Sequence, residues 1–437
     1  MKNKKQMPRR NFIKTGAFAA SAAAGILPFS SCSSSSSTSE NISEIYAELD
    51  EILKKPVLDR SFFPDPVIIE SLELLRDRNN FICRVRAKDG AEGIALGHPR
   101  ISSVSYPVFN AMLQKQFVGK DARDLDQLIY KACHSKVKYQ GVPTKIQVAS
   151  IEFAILDMLG NTANLPIGAF LGGIQNTEIS IYLGTRLLEL RAQEPEASLA
   201  LMEEDILETN AQAIKLRAGR GMNMASDMDS GPGRTEKLIR MAREKFGDNM
   251  EIMIDANGSY SVKEAIRIGK ILEEYNYYFY EAPLPWDWYD EMKPVQAALS
   301  IPIAGGEVEN RMHSFRWQIA NRTLQIAQPD IFYFGGMIRS IKVARMAEAV
   351  GMTISPHLSS GLGYLYMLHM LSAAPAIDRF HEFKMFTRRD ANGTLMPVES
   401  KTEPIQSING VIKVPTGSGL GIHIDPDYIK KHKIINA

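Results

Sequence analysis

The sequence predicts an α/β protein in which a smaller α+β domain precedes a β/α barrel. The chain has 437 residues, which suits a barrel of about 250 residues plus a second domain. Its apolar share of 45% is normal for a globular protein with a large core. Short β-rich runs alternate with helical segments through the second half, whereas the first half has strand patterns followed by helical ones.

The first 40 residues (1–40) are typical of an export signal and a tether. A basic region that contains Arg9 and Arg10 precedes an Ala-rich apolar run, as in exported proteins. RRNFIK resembles the twin-arginine class of signal, so we predict delivery to the periplasm. Cys32 then opens a serine tract, predicted to be a flexible tether. Lipidation of Cys32, which would anchor the protein to a membrane, and simple cleavage are alternative predictions.

The sequence predicts that residues 60–172 form the α+β domain. Apolar residues alternate with polar ones over residues 66–95, which indicates antiparallel strands, and the later stretch IQVASIEFAILDMLG has helical spacing. Cys83 and Cys133 are too few for a disulfide framework, so we predict two buried thiols.

Residues 173–390 predict the barrel, because strand patterns alternate with helical ones. One helix has a clear start signal, the capping box of Ser261 and Glu264. The chemistry of such a barrel lies at the carboxyl ends of its strands. The tail, 391–437, is too short and Gly-rich for another unit, and we expect it to return to the first domain. The candidate strands are 178–184, 213–219, 251–257, 277–283, 302–307, 324–330, 353–357 and 380–384.

Three carboxylates end three successive candidate strands. Asp255, Glu281 and Glu307 are separated by 26 residues each, about the length of one βα unit. We therefore expect them at matching heights on adjacent strands, which lie about 4.8 Å apart. Three converging carboxylates call for a hard divalent cation, most naturally Mg²⁺. Three unrelated surface acids are the alternative.

Two cations and an amide are predicted to face the same place. Lys215 and Arg217 are two residues apart on a strand and so point to one side. Cations within an apolar strand are costly unless they face anions, and the three acids supply these. An edge strand with solvated charges is the alternative. Asn257 shares the face of Asp255 and is a candidate contact for a bound ligand.

The carboxyl ends of the last three candidate strands together carry a second set of polar residues. Asp330 and His357 fall at neighbouring strand ends, where the carboxylate would fix the imidazole tautomer and make His357 a candidate base. A structural histidine is the alternative. Glu382, protonated or paired with a cation, is a candidate for holding the anionic end of a substrate. A salt bridge inside the barrel is its alternative.

The order Lys-x-Arg, DAN, EAP, GGE, QPD, SPH and HEF resembles the mandelate racemase branch of the enolase superfamily, within the mandelate racemase/muconate lactonizing enzyme family. It is similar to the acid-sugar dehydratases of that branch, over nearly everything after residue 60. The resemblance implies a (β/α)₇β TIM-like barrel under an α+β capping domain formed by the N-terminal region and the C-terminal tail. It implies one Mg²⁺ per subunit on Asp255, Glu281 and Glu307, and a base from the dyad of Asp330 and His357. Asn257 matches the family's asparagine after the first metal ligand, and Glu382 matches its glutamate on the last strand. We also expect a homo-oligomer.

The sequence departs from the family pattern at one catalytic position. The family's second strand usually carries Lys-x-Lys, whose second lysine is a base on the face opposite the histidine. Here that position is Arg217, and a guanidinium with a pKa above about 12 is a poor base. An insertion rich in Gly and Met, residues 219–233, follows and is a candidate cover for the site. Two-base racemisation is therefore disfavoured.

The predicted reaction is Mg²⁺-dependent removal of the proton α to a carboxylate, followed by dehydration of a sugar acid to a 2-keto-3-deoxy acid, with support from the charge of Lys215. A racemase or epimerase that uses Arg217 or Lys215 as second base is one alternative, and a surface-tethered, metal-dependent ligand-binding protein is another. The net charge of +1 does not favour nucleic acid as a partner. We expect a small carboxylic acid instead, selected by capping-domain loops near residues 60–63 and 97–100.

Overall fold

The computed structural model describes residues 36–184, 194–359, 363–383, 398–402 and 404–435. The predicted export signal and Cys32 lie outside the described residues. The chain divides into Met1–Asn41 and a compact unit, Ile42–Ala437. Within the described part, no helix combines the length and the apolar character that crossing a membrane would require.

A helix, α1 (Ser36–Lys54), begins inside the stretch predicted to be a flexible tether. The prediction is therefore wrong from Ser36 onward. Apolar residues at helical spacing explain the helix, since Leu49 is fully buried in the main core of the compact unit. Asp50 adds an ion pair to Arg316, with 2.6 Å between Oδ2 and Nη2.

The capping domain is an antiparallel sheet covered by helices. Its first three strands are β1 (Ile69–Asp77), β2 (Asn80–Ala87) and β3 (Glu92–Leu96), paired in sequence order. Cys83 and Cys133 are free and buried, as predicted. Its helices are α2 (Pro99–Val108), which runs through a π-helical turn (Phe109–Leu113) into α3 (Gln114–Phe117), then α4 (Leu125–His134), α5 (Val142–Ala163) and α6 (Ile167–Phe170), with short 3₁₀ turns at Arg60–Phe62, Ala122–Asp124 and Val137–Tyr139.

Eight parallel strands form the barrel sheet, in the order β10-β9-β8-β7-β6-β5-β4-β11. A parallel bridge between Ile354 and Ile377 brings β10 against the segment that leads into β11. The predicted α/β class and TIM-like barrel with a cap are confirmed. The strands are β4 (Glu178–Gly184), β5 (Ala213–Arg217), β6 (Glu251–Asp255), β7 (Tyr280–Glu281), β8 (Ile303–Gly305), β9 (Ile326–Ala327), β10 (Thr353–Ile354) and β11 (His381–Phe383).

Among the described residues, one helix follows each of the first seven barrel strands, which gives the (β/α)₇β order. The capping box is present, because the Ser261 hydroxyl accepts a hydrogen bond from the Glu264 amide at 3.4 Å. The helices are α7 (Pro195–Thr209), α8 (Arg234–Phe246), α9 (Val262–Glu274), α10 (Tyr289–Ala298), α11 (Met312–Ala320), α12 (Met337–Ala349) and α13 (Gly363–Ala373).

Most barrel strands are shorter than predicted. Only β4 keeps its predicted bounds, whereas the predicted strand 324–330 pairs only over Ile326–Ala327. Proline lacks an amide hydrogen and cannot continue a strand ladder. Four of the seven shortened strands, β7 to β10, are accordingly flanked by Pro283, Pro302, Pro329 and Pro356. Several site residues consequently lie in loops just beyond the strands.

The tail contacts both the barrel and the cap. Strands β12 (Val398–Ser400) and β14 (Ile422–Ile424) pair with each other, and β13 (Val411–Lys413) is antiparallel to β4. Helix α14 (Pro426–Lys431) leads into β15 (Lys433–Ile434), which pairs with β1. Residues from Ile42 form one compact unit, so the predicted boundaries at 60, 172 and 390 remain predictions.

Two acids of the buried helix α5 join the cap to the rest of the unit. Glu152 Oε1 accepts the Ile338 amide at 2.8 Å, at the start of α12. Asp157 accepts the amides of Ile94 and Leu420, at 2.9 and 2.8 Å. Burial raises the pKa of Glu152 to about 8 and that of Asp157 to about 6. Glu152 thus ties the cap to the segment after β9, at the carboxyl end of the barrel strands, and Asp157 ties a cap strand to the tail.

Candidate active site

Three carboxylates meet at the carboxyl ends of β6, β7 and β8. Asp255 and Glu281 end their strands and are register partners, as predicted. Glu307 is not at the same height, because Ala304 is the residue opposite Glu281. β8 ends at Gly305 and the chain turns at Gly306, with φ of +103°. Glu307 therefore reaches the cluster from a loop.

These acids fit a hard divalent cation. One oxygen from each of Asp255, Glu281 and Glu307 lies within 4.8 Å of the other two. Asp255 and Glu281 are fully buried, and burial raises the pKa of Glu281 although Lys215 opposes this. Carboxylate oxygens at this spacing are the ligands that Mg²⁺ prefers. The three residues would hold one Mg²⁺.

Lys215 is bound to two carboxylates inside the barrel. Its Nζ lies 2.9 and 2.8 Å from the two oxygens of Glu281, and 3.3 Å from Glu382 Oε1. Burial acts to lower the pKa of Lys215, but Glu281 and Glu382 raise it well above its ordinary value. The side chain is 2% exposed, so the alternative of a solvated edge strand is wrong here.

Arg217 is fixed by Asp255 and Asn257. Its Nη1 donates to Asp255 Oδ2 at 2.9 Å and to Asn257 Oδ1. Burial acts to lower the pKa of Arg217, but Asp255 and the neighbouring carboxylates raise it. Asn257 in turn donates from Nδ2 to Asp255 Oδ2 at 2.7 Å. Asn257 thus holds a predicted metal ligand, and its contact with a substrate remains a prediction.

His357 and Asp330 form the predicted pair. Each lies three residues beyond paired strand residues, Ile354 and Ala327, and His357 Nδ1 is 2.8 Å from Asp330 Oδ2. In the tautomer that donates Nδ1–H to Asp330, Nε2 is the ring nitrogen that can take up a proton. Nε2 faces the acid cluster, 3.2 Å from Glu307 Oε2. The geometry is that of an oriented base.

Glu382 is on β11 and is engaged on both oxygens. Oε1 faces Lys215, and Oε2 accepts the Leu358 amide at 2.9 Å. A Cβ atom at Gly184 would lie 2.8 Å from Oε1, so the glycine makes room for this carboxylate. The predicted pairing with a cation is present, and a direct role toward substrate remains a prediction.

Sequence reasoning missed other polar groups beside the site. Tyr182 Oη is 3.4 Å from Lys215 Nζ, and Gln328 Nε2 donates to Glu281 Oε2 at 2.8 Å. Gln328 is two residues before Asp330, so a shared face was a usable signal. Nothing in the apolar run that contains Tyr182 distinguishes it from core.

The insertion 219–233 packs at the same end of the barrel. The Asn223 amide donates to the Asn257 carbonyl at 2.8 Å, and the Met224 and Ala225 amides donate to the Gly258 carbonyl. Since Asn257 and Gly258 follow β6, the insertion lies next to the loop that carries a site residue. Its role as a cover remains a prediction.

The fold and the site define the class of protein. Residues 198–428, more than half of the chain, match the family described as "Enolase C-terminal domain-like". The chain belongs to this family of the enolase superfamily, as the motif order predicted.

Known relatives of this chain include both isomerases and dehydratases. D-galactarolactone cycloisomerase of Agrobacterium fabrum is 26% identical over 374 residues, covering 84% of this chain and 94% of that protein. Arabinonate dehydratase of Saccharolobus solfataricus is 26% identical over 289 residues, which cover 65% of this chain and 72% of that protein. The crystal structure of a mandelate racemase/muconate lactonizing protein from Paracoccus denitrificans Pd1222 has a TM-score of 0.74 at 24% identity. The match covers 85% of this chain and 99% of that one.

Proposed function

We propose that this protein dehydrates a sugar acid to a 2-keto-3-deoxy acid, and that His357 removes the proton α to the carboxylate with Mg²⁺ on Asp255, Glu281 and Glu307. The observation that carries the proposal is the orientation of His357, whose Nε2 faces the acid cluster while Nδ1 is held by Asp330. Relatives that are dehydratases of arabinonate, D-xylonate and L-talarate/galactarate support the substrate class.

The residues have complementary roles in proton removal. A proton α to a carboxylate is weakly acidic, because its loss places a second negative charge beside the first. A bound Mg²⁺ supplies positive charge at that carboxylate and lowers this cost. Lys215, which stays an ammonium, adds a fixed charge that needs no reorganisation. His357 Nε2 takes the proton, and Asp330 stabilises the resulting imidazolium.

Loss of water completes the reaction. The α C–H electron pair forms a double bond to the β carbon as the bond to the β hydroxyl breaks. The imidazolium of His357 returns its proton to the departing hydroxyl, so water leaves. The enol product then becomes the 2-keto acid by tautomerisation, and the base is regenerated.

The position of the cations favours this reaction over racemisation. Around the closed barrel of eight strands, β5 and β10 are three steps apart in one direction and five in the other, so Lys215 and Arg217 lie on a different side of the barrel from His357. Arg217 holds its protons at any working pH, and Lys215 is bonded to Glu281 and Glu382 inside the barrel. A racemase or epimerase needs a second acid–base group on that side.

The proposed location and assembly rest on the sequence alone. We propose export to the periplasm by the twin-arginine route, on the basis of Arg9 and Arg10, with a lipid anchor at Cys32 as one of two outcomes of processing. A homo-oligomer is likewise proposed.

A substrate screen tests the function. Purified protein with Mg²⁺ is incubated with a library of sugar acids in deuterated water, and 2-keto acids are detected by derivatisation. Dehydration predicts a 2-keto acid that disappears when chelator removes the metal. Exchange of the α proton without loss of water would instead indicate a racemase or epimerase, and an isomer of the substrate would indicate a cycloisomerase. Metal-dependent binding without any product would indicate a binding protein.

A further inference from the structure

A phenol that the proposed mechanism does not use lies beside the base. The ring centroid of Tyr333 is 6.3 Å from that of His357, with the two planes tilted by 34°. Asp330 Oδ1 accepts the Tyr333 amide at 2.9 Å, while Oδ2 holds His357. One carboxylate therefore fixes both residues. Tyr333 is only partly buried, which leaves part of its side chain accessible to a ligand.

The electrostatic surroundings of the phenol favour a neutral partner. Burial raises the pKa of Tyr333 to about 12, and Asp330 and Glu307 add to this. A hydrogen bond with the Ser359 side chain and the charge of Arg100 oppose it. The hydroxyl therefore remains protonated at neutral pH and can donate a hydrogen bond. Two nearby carboxylates disfavour an anionic group beside it. The matching chemical group is a hydroxyl, as on the carbon chain of a sugar acid.

His98, in the loop near residues 97–100, supports Tyr333 from the cap. Its side chain is 1% exposed, and its ring lies 5.7 Å from that of Tyr333 and 5.4 Å from that of Phe332. His98 Nδ1 accepts the Ile101 amide at 3.3 Å, whereas Nε2 has no hydrogen-bond partner among the described residues. Burial lowers the pKa of His98 to about 4. The charge of Asp330 acts to raise this pKa, whereas Arg100 and His357 lower it further. It is a neutral ring packed against Tyr333.

We propose that the Tyr333 hydroxyl binds one hydroxyl of the substrate's carbon chain, and that His98 is the positioning residue that holds Tyr333 in place. This inference rests on the proposed function and narrows it to acids that carry a neutral, hydroxylated carbon beside the phenol. A site that hydrogen-bonds a substrate hydroxyl discriminates against the analogue without it, because that hydrogen bond is then lost.

Calorimetric titration separates this role from packing. Mg²⁺-loaded wild-type protein and Tyr333→Phe are titrated with D-gluconate, D-xylonate and galactarate, and then with monodeoxy analogues of the best binder. For one analogue, wild-type protein should bind about tenfold to hundredfold more weakly than it binds the parent acid. Tyr333→Phe should bind the parent and this analogue equally. The phenylalanine ring keeps the packing against His98 and His357.

Two further variants serve as the control and the positioning test. Tyr278→Phe removes a phenol that donates to Asp378 Oδ1 at 3.1 Å, at the opposite end of the barrel, and should discriminate like wild type. His98→Asn keeps an acceptor for the Ile101 amide but removes the ring, so discrimination should weaken. Its melting temperature, which the lost packing should lower, shows whether the variant is still folded under the conditions of the titration.

The outcomes also separate this inference from the proposed reaction. If Tyr333→Phe retained the wild-type preference for every hydroxyl, the substrate contact would be refuted, even with normal dehydration. If His98→Asn discriminated like wild type, the positioning role would be refuted. Binding without turnover would refute dehydration and leave the Tyr333 contact testable. Failure of all three sugar acids to bind would overturn both.

Discussion

Replacing His357 by Asn isolates the proposed base. His357 Nδ1 is 2.8 Å from Asp330 Oδ2, and the amide nitrogen of an asparagine can donate to the same oxygen. The variant has no counterpart of Nε2, which lies 3.2 Å from Glu307 Oε2. The substitution therefore removes the proton acceptor and retains the bond that orients the side chain.

The expected loss follows from the role of a general base. Such a group contributes about 10²–10⁴-fold in rate, or about 2.7–5.4 kcal/mol of barrier at 1.36 kcal/mol per factor of ten. His357 is outside the predicted ligand set of Asp255, Glu281 and Glu307, so Mg²⁺ affinity should change by much less than tenfold.

The assay follows 2-keto acid formation from a sugar acid identified by the screen, together with α-proton exchange by NMR. Substrate deuterated at the α carbon should react more slowly with wild-type protein wherever proton removal limits the rate. His313→Asn, an exposed position on α11, is the matched control and should have full activity. Near-normal turnover in His357→Asn, with activity abolished by Lys215→Ala, would refute the assignment. The base would then be Lys215, and the epimerase interpretation would replace dehydration.

Three other properties give direct tests. Glu281→Gln should weaken Mg²⁺ binding at least tenfold by calorimetry, because a neutral amide replaces a charged ligand. Burial raises the pKa of Glu152 to about 8 from an ordinary 4.5, so this group's stabilising contribution is complete below pH 4.5 and is lost as the pH rises to 8. Glu152→Gln, which cannot ionise, should flatten the fall in melting temperature between pH 5 and 8. Replacing Arg9 and Arg10 by Lys should leave the precursor in the cytoplasm, and labelled fatty acid should appear at Cys32 if that residue is lipidated.

Each of these tests has a contrary result. Unchanged Mg²⁺ affinity in Glu281→Gln would remove Glu281 from the ligand set. A pH profile of Glu152→Gln that parallels wild type would mean that other groups cause the fall. Export of the Arg9 and Arg10 variant would point to the route for unfolded chains, and absence of label at Cys32 would leave simple cleavage.

The acids of the site were predictable because they interrupt apolar runs. A charged residue at the end of a buried strand is costly without a partner, so Asp255 and Glu281 stand out in the sequence. Their relative height follows from the period of the βα unit. The height of Glu307 does not, because β8 ends at Gly305 and the turn at Gly306 sets it.

Other features have no comparable signal in the sequence. Glu152 lies within a helix that is buried almost throughout, and its bond to the Ile338 amide joins positions 186 apart. Tyr333 and His98 come together only when the cap meets the barrel. Their separation along the chain does not correspond to the period of a helix, a strand or a βα unit, so only the folded structure brings them to the site.

The residue at position 217 ties the electrostatics of the site to the choice of reaction. Arg217 donates to both Asp255 and Asn257, so its planar guanidinium orients a predicted metal ligand and a candidate substrate contact together. A lysine there could release a proton and act as a second base, whereas a guanidinium holds its protons at any working pH. We therefore expect proton transfer on the side of the barrel that carries His357. An elimination can remove a proton and return it from one side, whereas inversion at the α carbon requires a donor on the other. The same charge that holds the metal ligands in place thus argues for dehydration.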